Sequence, residues 1–163
     1  MLESLNISAQ PGSKTIVMTR TFDAPPSAVF EAWTKAEEVA QWWDPSGVPL
    51  AICEIDLRPN GAFRWVNQGD TGMEYPFTGT YLKILPPETL VFTARTFPSS
   101  PESVAKLSFI GDSGKTKFTM TIECLSVVDR DALLGMRVDV GTDRTLENLA
   151  AFLVKTRSLG DGK

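Results

Sequence analysis

TDRTLENLAAFLVKTR, residues 142 to 157, is the stretch whose reading decides the fold. Leu146, Leu149, Ala150 and Leu153 recur at the i, i+3, i+4, i+7 spacing of an amphipathic helix. Lys155 and Arg157 complement the negative end of its dipole, and Gly160 lies just beyond, where helices commonly stop. So long an apolar stripe needs a surface to bury it. The preceding chain provides one.

Segments 50–58, 61–67, 73–84, 89–95, 104–110 and 115–124 alternate apolar and polar residues, and the turn-rich separators PNG, QGDTG, PPE, FPSSPES and GDSG divide them. They read as a meander of six antiparallel strands. KTIVMTRTFD, residues 14 to 23, is a further strand upstream. In the first hairpin, a three-residue Pro59-Asn60-Gly61 loop with Gly61 left-handed places Leu57 opposite Phe63, Ile55 opposite Trp65 and Asp56 opposite Arg64.

Between strand 14–23 and the meander, DAPPSAVFEAW starts a short helix at its prolines, with Val29, Phe30 and Trp33 on one face. Thr34 and Glu37 have capping-box spacing and predict a second short helix, ended by Asp44-Pro45. Val39 and Trp43 stand four residues apart, so Trp43 is expected to pack against the sheet and Trp42 to border an opening. DRDALLGM, residues 129 to 136, reads as a further short helix or turn.

The fold class is therefore α+β: a curved antiparallel β-sheet wrapped around a long C-terminal helix, with two short helices after the first strand. Residues 1–13 read as a flexible polar lead-in, 14–157 as one domain and 158–163 as a tail.

TRTFDAPPSAVFEAWT, QWWDPSG, EIDLRPNGAFRW, GTYLKILPPETLVFT and LENLAAFL, in that order, resemble the heat-shock protein 90 ATPase activator homologue family. That family belongs to the START-like, or SRPBCC, superfamily with the birch-pollen-allergen helix-grip fold. The resemblance implies a hydrophobic cavity between sheet and terminal helix. It implies no particular chemistry, since the superfamily includes carriers, cyclases and co-chaperone domains. Two positions depart from the family pattern. Asn60 stands where the first of two glycines is usual, and GMRVDVGTD, residues 135 to 143, lacks the tryptophan usual before the terminal helix.

Composition narrows the function. The 163 residues carry a net charge of −4 with no basic cluster, which argues against nucleic acid as a partner. No apolar run approaches the roughly 20 residues of a membrane span, and no leader pattern opens the chain, so a cytoplasmic location is expected. The chain has no histidine, which excludes imidazole bases, Ser-His-Asp and Cys-His nucleophiles, and His-ligated zinc. Cys53 and Cys124 are isolated within strands and read as small buried hydrophobes. Glu54 and Asp56 point away from the apolar face, and DSGKT at 112–116 is a hairpin rather than a phosphate loop. No cofactor or metal site is expected.

Hydrophobic ligand binding fits these features, without assigned catalytic residues. The expected ligand-binding set is Trp42 and Trp43 at the helical corner; Phe63, Trp65 and Asn67 on one strand; Tyr75 and Phe77 on the next; Phe92, Phe118 and Met120 beyond; and Met136, Leu149 and Phe152 from the helical side. Asn67 and Tyr75 would direct hydrogen bonds inward. Arg20 is either an edge residue or an anion anchor. Two other readings stay open: a chaperone-binding module, and a cofactor-free cyclase, dehydratase or hydrolase using Arg20, Tyr75 or Tyr81. An exposed sheet edge or the long helix could support a homodimer.

Overall fold

A computed structural model describes residues 5–46, 48–69, 71–96 and 100–161. Eight strands form one antiparallel sheet: β1 (Asn6–Ser8), β2 (Thr15–Phe22), β3 (Ile52–Ile55), β4 (Ala62–Gln68), β5 (Glu74–Leu85), β6 (Thr89–Ala94), β7 (Ser103–Asp112) and β8 (Lys115–Glu123). Their spatial order is β1-β2-β8-β7-β6-β5-β4-β3. Helices α1 (Pro26–Thr34) and α2 (Ala36–Trp42) follow β2, and α3 (Val127–Gly135) and α4 (Val138–Asp161) follow β8.

Alternation explains the sheet. In β2 the residues Ile16, Met18, Arg20 and Phe22 are buried while their neighbours are not, and β8 repeats the pattern through Thr116, Phe118, Met120 and Ile122. The register pairs Met18 with Met120 and Ile16 with Ile122, so one face is apolar apart from Arg20 and Thr116. Leu146, Leu149 and Leu153 of α4 are buried in the same cluster. Each buried leucine contributes on the order of 2 kcal/mol of apolar transfer.

Several local expectations are revised. Residues 6–8, placed in a flexible lead-in by their polarity, instead form the edge strand β1, which pairs Ile7 with Met18. Thr34 caps nothing: it is the last residue of α1, its Oγ1 donates to the carbonyl of Phe30 at 2.9 Å, and Lys35 is the N-cap of α2 without a side-chain bond. Helix α3 starts two residues before the predicted segment because Ser126 Oγ accepts from the amide of Asp129 at 3.1 Å. Helix α4 starts four residues early, directly after Arg137, whose φ of 59° separates it from α3.

The first hairpin is longer than predicted. Ile55 faces Phe63, Cys53 faces Trp65 and Glu54 faces Arg64, a shift of two residues that keeps every side chain on its expected face. Asn60, not Gly61, takes the left-handed conformation, with φ 68°. Gly61 is required for space, since a Cβ there would lie 2.0 Å from the carbonyl oxygen of Asp56. Asp56 consequently pairs with Arg58 at 2.9 Å instead of facing Arg64.

Candidate functional site

A cavity of about 280 Å³ separates the concave face of the sheet from the start of α4. Phe77, Phe92, Met120 and Ile122 form its sheet wall together with the small residues Ala94 and Ala105. Trp33, Trp43 and Pro45 close it from the α1–α2 corner. Leu133 and Met136 border it from α3 and its exit, and Gly141, Thr142, Thr145 and Leu146 from α4. Small side chains on both walls create the space. A Cβ added at Gly141 would meet nothing within 4 Å. Pro45, Met136 and Arg137 are exposed as well as lining, which places the mouth at the junction of α3 and α4.

Two hydrogen bonds hold the corner to α4. Thr145 Oγ1 donates to the carbonyl of Trp43 at 3.1 Å, and Asn148 Nδ2 donates to the carbonyl of Asp44 at 2.8 Å. The Asp44 carboxylate accepts from both the amide and the hydroxyl of Ser46, tightening the turn after α2.

The tryptophan pair divides differently from expectation. Trp42 is fully buried, with its Nε1 donating to the carbonyl of Ala32 at 3.0 Å and its ring 4.8 Å from Trp33. Trp43 is half-buried and lines the cavity; its ring also packs on the sheet, 4.7 Å from Trp65 and 4.8 Å from Phe77. The physical reason is the short helix: Trp42 shares the i, i+3 face of Val39 that packs on α1, while Trp43 is the C-cap.

Five of the thirteen expected ligand residues line this cavity: Trp43, Phe77, Phe92, Met120 and Met136. Phe63 and Trp65 pack on one another at 4.9 Å, and Phe118 stacks on Trp33 at 5.7 Å, so these three occupy core rather than cavity wall. Leu149 and Phe152 are likewise core residues. Asn67 and Tyr75 pair across the outer end of β4 and β5, with Tyr75 exposed, and neither reaches the cavity. The missed residues include the small ones, Ala94, Ala105, Gly141 and Thr142, whose contribution is absence of volume and leaves no hydrophobic signal, and also the larger Trp33, Ile122, Leu133, Arg137 and Leu146.

The polar side chains that line the cavity are Thr96, Ser103, Arg137, Thr142 and Thr145. Arg20 is buried between β2 and α4, where Nη1 contacts Glu147 at 3.0 Å and the guanidinium stands 5.4 Å from the Phe22 ring. It is neither an edge residue nor a cavity anchor. Tyr81 is buried, and its hydroxyl has no hydrogen-bond partner among the described residues. Burial, with a smaller contribution from the nearby Cys53 thiol, pushes its hydroxyl far up. Cys53 is half-buried rather than buried, and burial first, then Glu37, pushes its thiol up to about 11. Both groups are held in their neutral forms. Cys124 is a buried free thiol. Among the described residues no cluster of three or more Asp, Glu or Cys side chains could hold a metal ion, and no helix is long and apolar enough to cross a membrane.

A long antiparallel sheet closed over a C-terminal helix, with an apolar space between them, defines a helix-grip protein. The sequence pattern of the activator of Hsp90 ATPase homolog 1-like proteins matches residues 23–154, and the chain belongs to that family. A Rhodobacter sphaeroides protein of known crystal structure is similar at 22% identity over 92% of this chain and 99% of that chain, with a TM-score of 0.82. A Nitrosomonas europaea protein is similar at 23% identity over 88% of this chain and 96% of that chain, with a TM-score of 0.79. A Staphylococcus epidermidis protein solved by NMR shares 25% identity over 93% of this chain and 94% of that chain, with a TM-score of 0.79. No curated protein sequence matches the chain.

Proposed function

We propose that the protein binds a small apolar molecule in the cavity between the sheet and α4. The observation that carries this reading is the pairing of a large-residue wall, Phe77, Phe92 and Met120, with a small-residue wall at Gly141 and Thr142. The enclosed volume sits just below the roughly 300–1,000 Å³ of ordinary ligand sites, which suits a compact ligand of one or two rings. Burial of such a body supplies about 25 cal/mol for each Å² of apolar surface removed from water.

The test uses native mass spectrometry of freshly purified protein, with the Gly141→Leu variant alongside. Leucine at 141 fills open space on a helix, so the fold is retained and its helical propensity rises. A mass adduct on the wild type that Gly141→Leu loses supports the reading. An adduct retained at full level in that variant, or a clean apo mass with no response of tryptophan fluorescence to small aromatic ligands, refutes it.

Family membership supports a second reading, contact with a chaperone. The opposite face of the sheet offers a broad open groove bordered by Glu54, Asp56, Arg64, Arg95 and Glu102, a charged surface suited to a protein partner. Unchanged chaperone ATPase rates on addition of this protein would remove it.

A further inference from the structure

We infer that the cavity ligand is a monocarboxylic acid with a compact apolar body, its carboxylate held at the mouth by Arg137. The inference rests on the cavity-binding reading and adds the ligand's charge and orientation. Arg137 is the single charged residue among the described residues that line the cavity, in a protein of net charge −4. The other polar side chains lining it are the hydroxyls of Thr96, Ser103, Thr142 and Thr145, so Arg137 is where an anionic group would find a charged donor.

The position of Arg137 is built rather than incidental. It carries a φ of 59° in the two-residue joint, Met136-Arg137, between α3 and α4, a conformation that fixes where the side chain leaves the backbone. Its Nε and Nη2 contact the two Asp139 carboxylate oxygens at 3.2 and 3.3 Å, and Nη1 has no partner among the described residues. One edge of the guanidinium fork is thus oriented by Asp139 while the remaining donor is available. Both partners of that pair are solvent-accessible, so a ligand sharing the guanidinium gives up little. Thr142, one turn into α4, also lines the cavity, and its hydroxyl makes no hydrogen bond among the described residues. Guanidinium and hydroxyl together suit one carboxylate. A phosphate dianion would call for a second cation, and the lining residues hold none.

Isothermal titration with 2-naphthoate and its neutral isostere 2-naphthamide tests the inference. Wild-type protein is expected to bind naphthoate at least fivefold more tightly. Arg137→Gln should erase that preference with naphthamide affinity unchanged, because glutamine meets the same backbone demand without the charge. Asp139→Asn, which releases the second edge of the fork, should widen the preference. Equal affinity for the two compounds in wild type, or a preference that survives Arg137→Gln, overturns the inference. If Gly141→Leu abolishes binding of both compounds in that case, the cavity reading stands and only the carboxylate assignment falls. If neither compound binds the wild type, the assignment falls together with the cavity reading.

Discussion

The indole of Trp42 reaches back ten residues to donate its Nε1 hydrogen to the carbonyl of Ala32, 3.0 Å away. This bond satisfies the buried polar atom of the larger of two neighbouring duties: Trp42 fastens α2 onto α1, and Trp43, next in sequence, faces the cavity. Trp42→Ala should cost about 3–5 kcal/mol in denaturant unfolding, since it leaves a large void and orphans the Ala32 carbonyl. Trp43→Ala should cost about 1–2 kcal/mol, because the side chain is only half-buried, and it should diminish the fluorescence response to small aromatic ligands. Equal losses of stability would refute this division.

Asn60 and Gly61 make opposite demands. Asn60 occupies the left-handed region, so Asn60→Ala should cost about 1 kcal/mol and Asn60→Gly almost nothing. Gly61→Ala should cost more than either, because the new methyl meets the Asp56 carbonyl. Thermal melts of the three variants give the ranking, and Asn60→Gly as the least stable of them would contradict the assigned turn.

Tyr81 buries a hydroxyl that no described group engages. Tyr81→Phe removes a desolvated polar atom and keeps the ring contacts with Phe63 and Phe92, at 5.3 and 6.3 Å. It should be neutral or stabilising by up to about 1 kcal/mol. A loss above about 1 kcal/mol in chemical unfolding would show that the hydroxyl is bonded.

Alkaline pH should destabilise the protein. Burial raises the thiol of Cys53 to about 11 and raises the hydroxyl of Tyr81, so the fold favours the neutral form of each. The unfolded thiol ionises from about 8.5. The contribution of Cys53 is therefore complete below that value and declines as pH rises from there toward 11, while that of Tyr81 declines from about pH 10 upward. Cys53→Ala should flatten the first part of this decline in pH-dependent unfolding. Alkylation of Cys53 by iodoacetamide at pH 8 should be roughly tenfold or more slower than that of free cysteine. Rapid labelling would place the thiol in a different environment.

Arg20 and Glu147 form a one-sided pair, with the arginine buried and the glutamate side chain partly exposed. Glu147→Ala leaves a buried guanidinium without its counter-charge and should cost about 2–4 kcal/mol. The Arg20→Met/Glu147→Ala double variant should recover much of that loss, because methionine fills the space without a charge to compensate. A double variant less stable than Glu147→Ala would mean that the guanidinium contributes through its packing against Phe22.

The legibility of the molecule in its sequence follows the physics of each element. Strands β2, β6, β7 and β8 announce themselves because one side of each faces apolar cover, so alternation is imposed along most of their length. Strand β1 does not, since Asn6–Ser8 is a three-residue edge held by backbone pairing. The two-residue shift in the β3–β4 hairpin escaped because alternate registers that preserve parity leave identical faces. The site was half legible. Phe77, Phe92 and Met120 follow from strand parity, whereas Gly141, Thr142 and Ala105 define the cavity by what they omit. Phe63, Trp65 and Phe118 satisfy the same parity and have neighbours large enough to fill the space before them.

The ladder joining Thr15–Phe22 to Lys115–Glu123 sets an order of assembly. During synthesis, β3 to β8 each pair with a strand adjacent in sequence. Strand β2 has only the three-residue β1 as an early partner, and its other edge must wait for β8, the last strand produced. The waiting segment TIVMTRTF is β-branched and apolar on one face, so β2 is the part of the newborn chain most in need of protection from premature pairing.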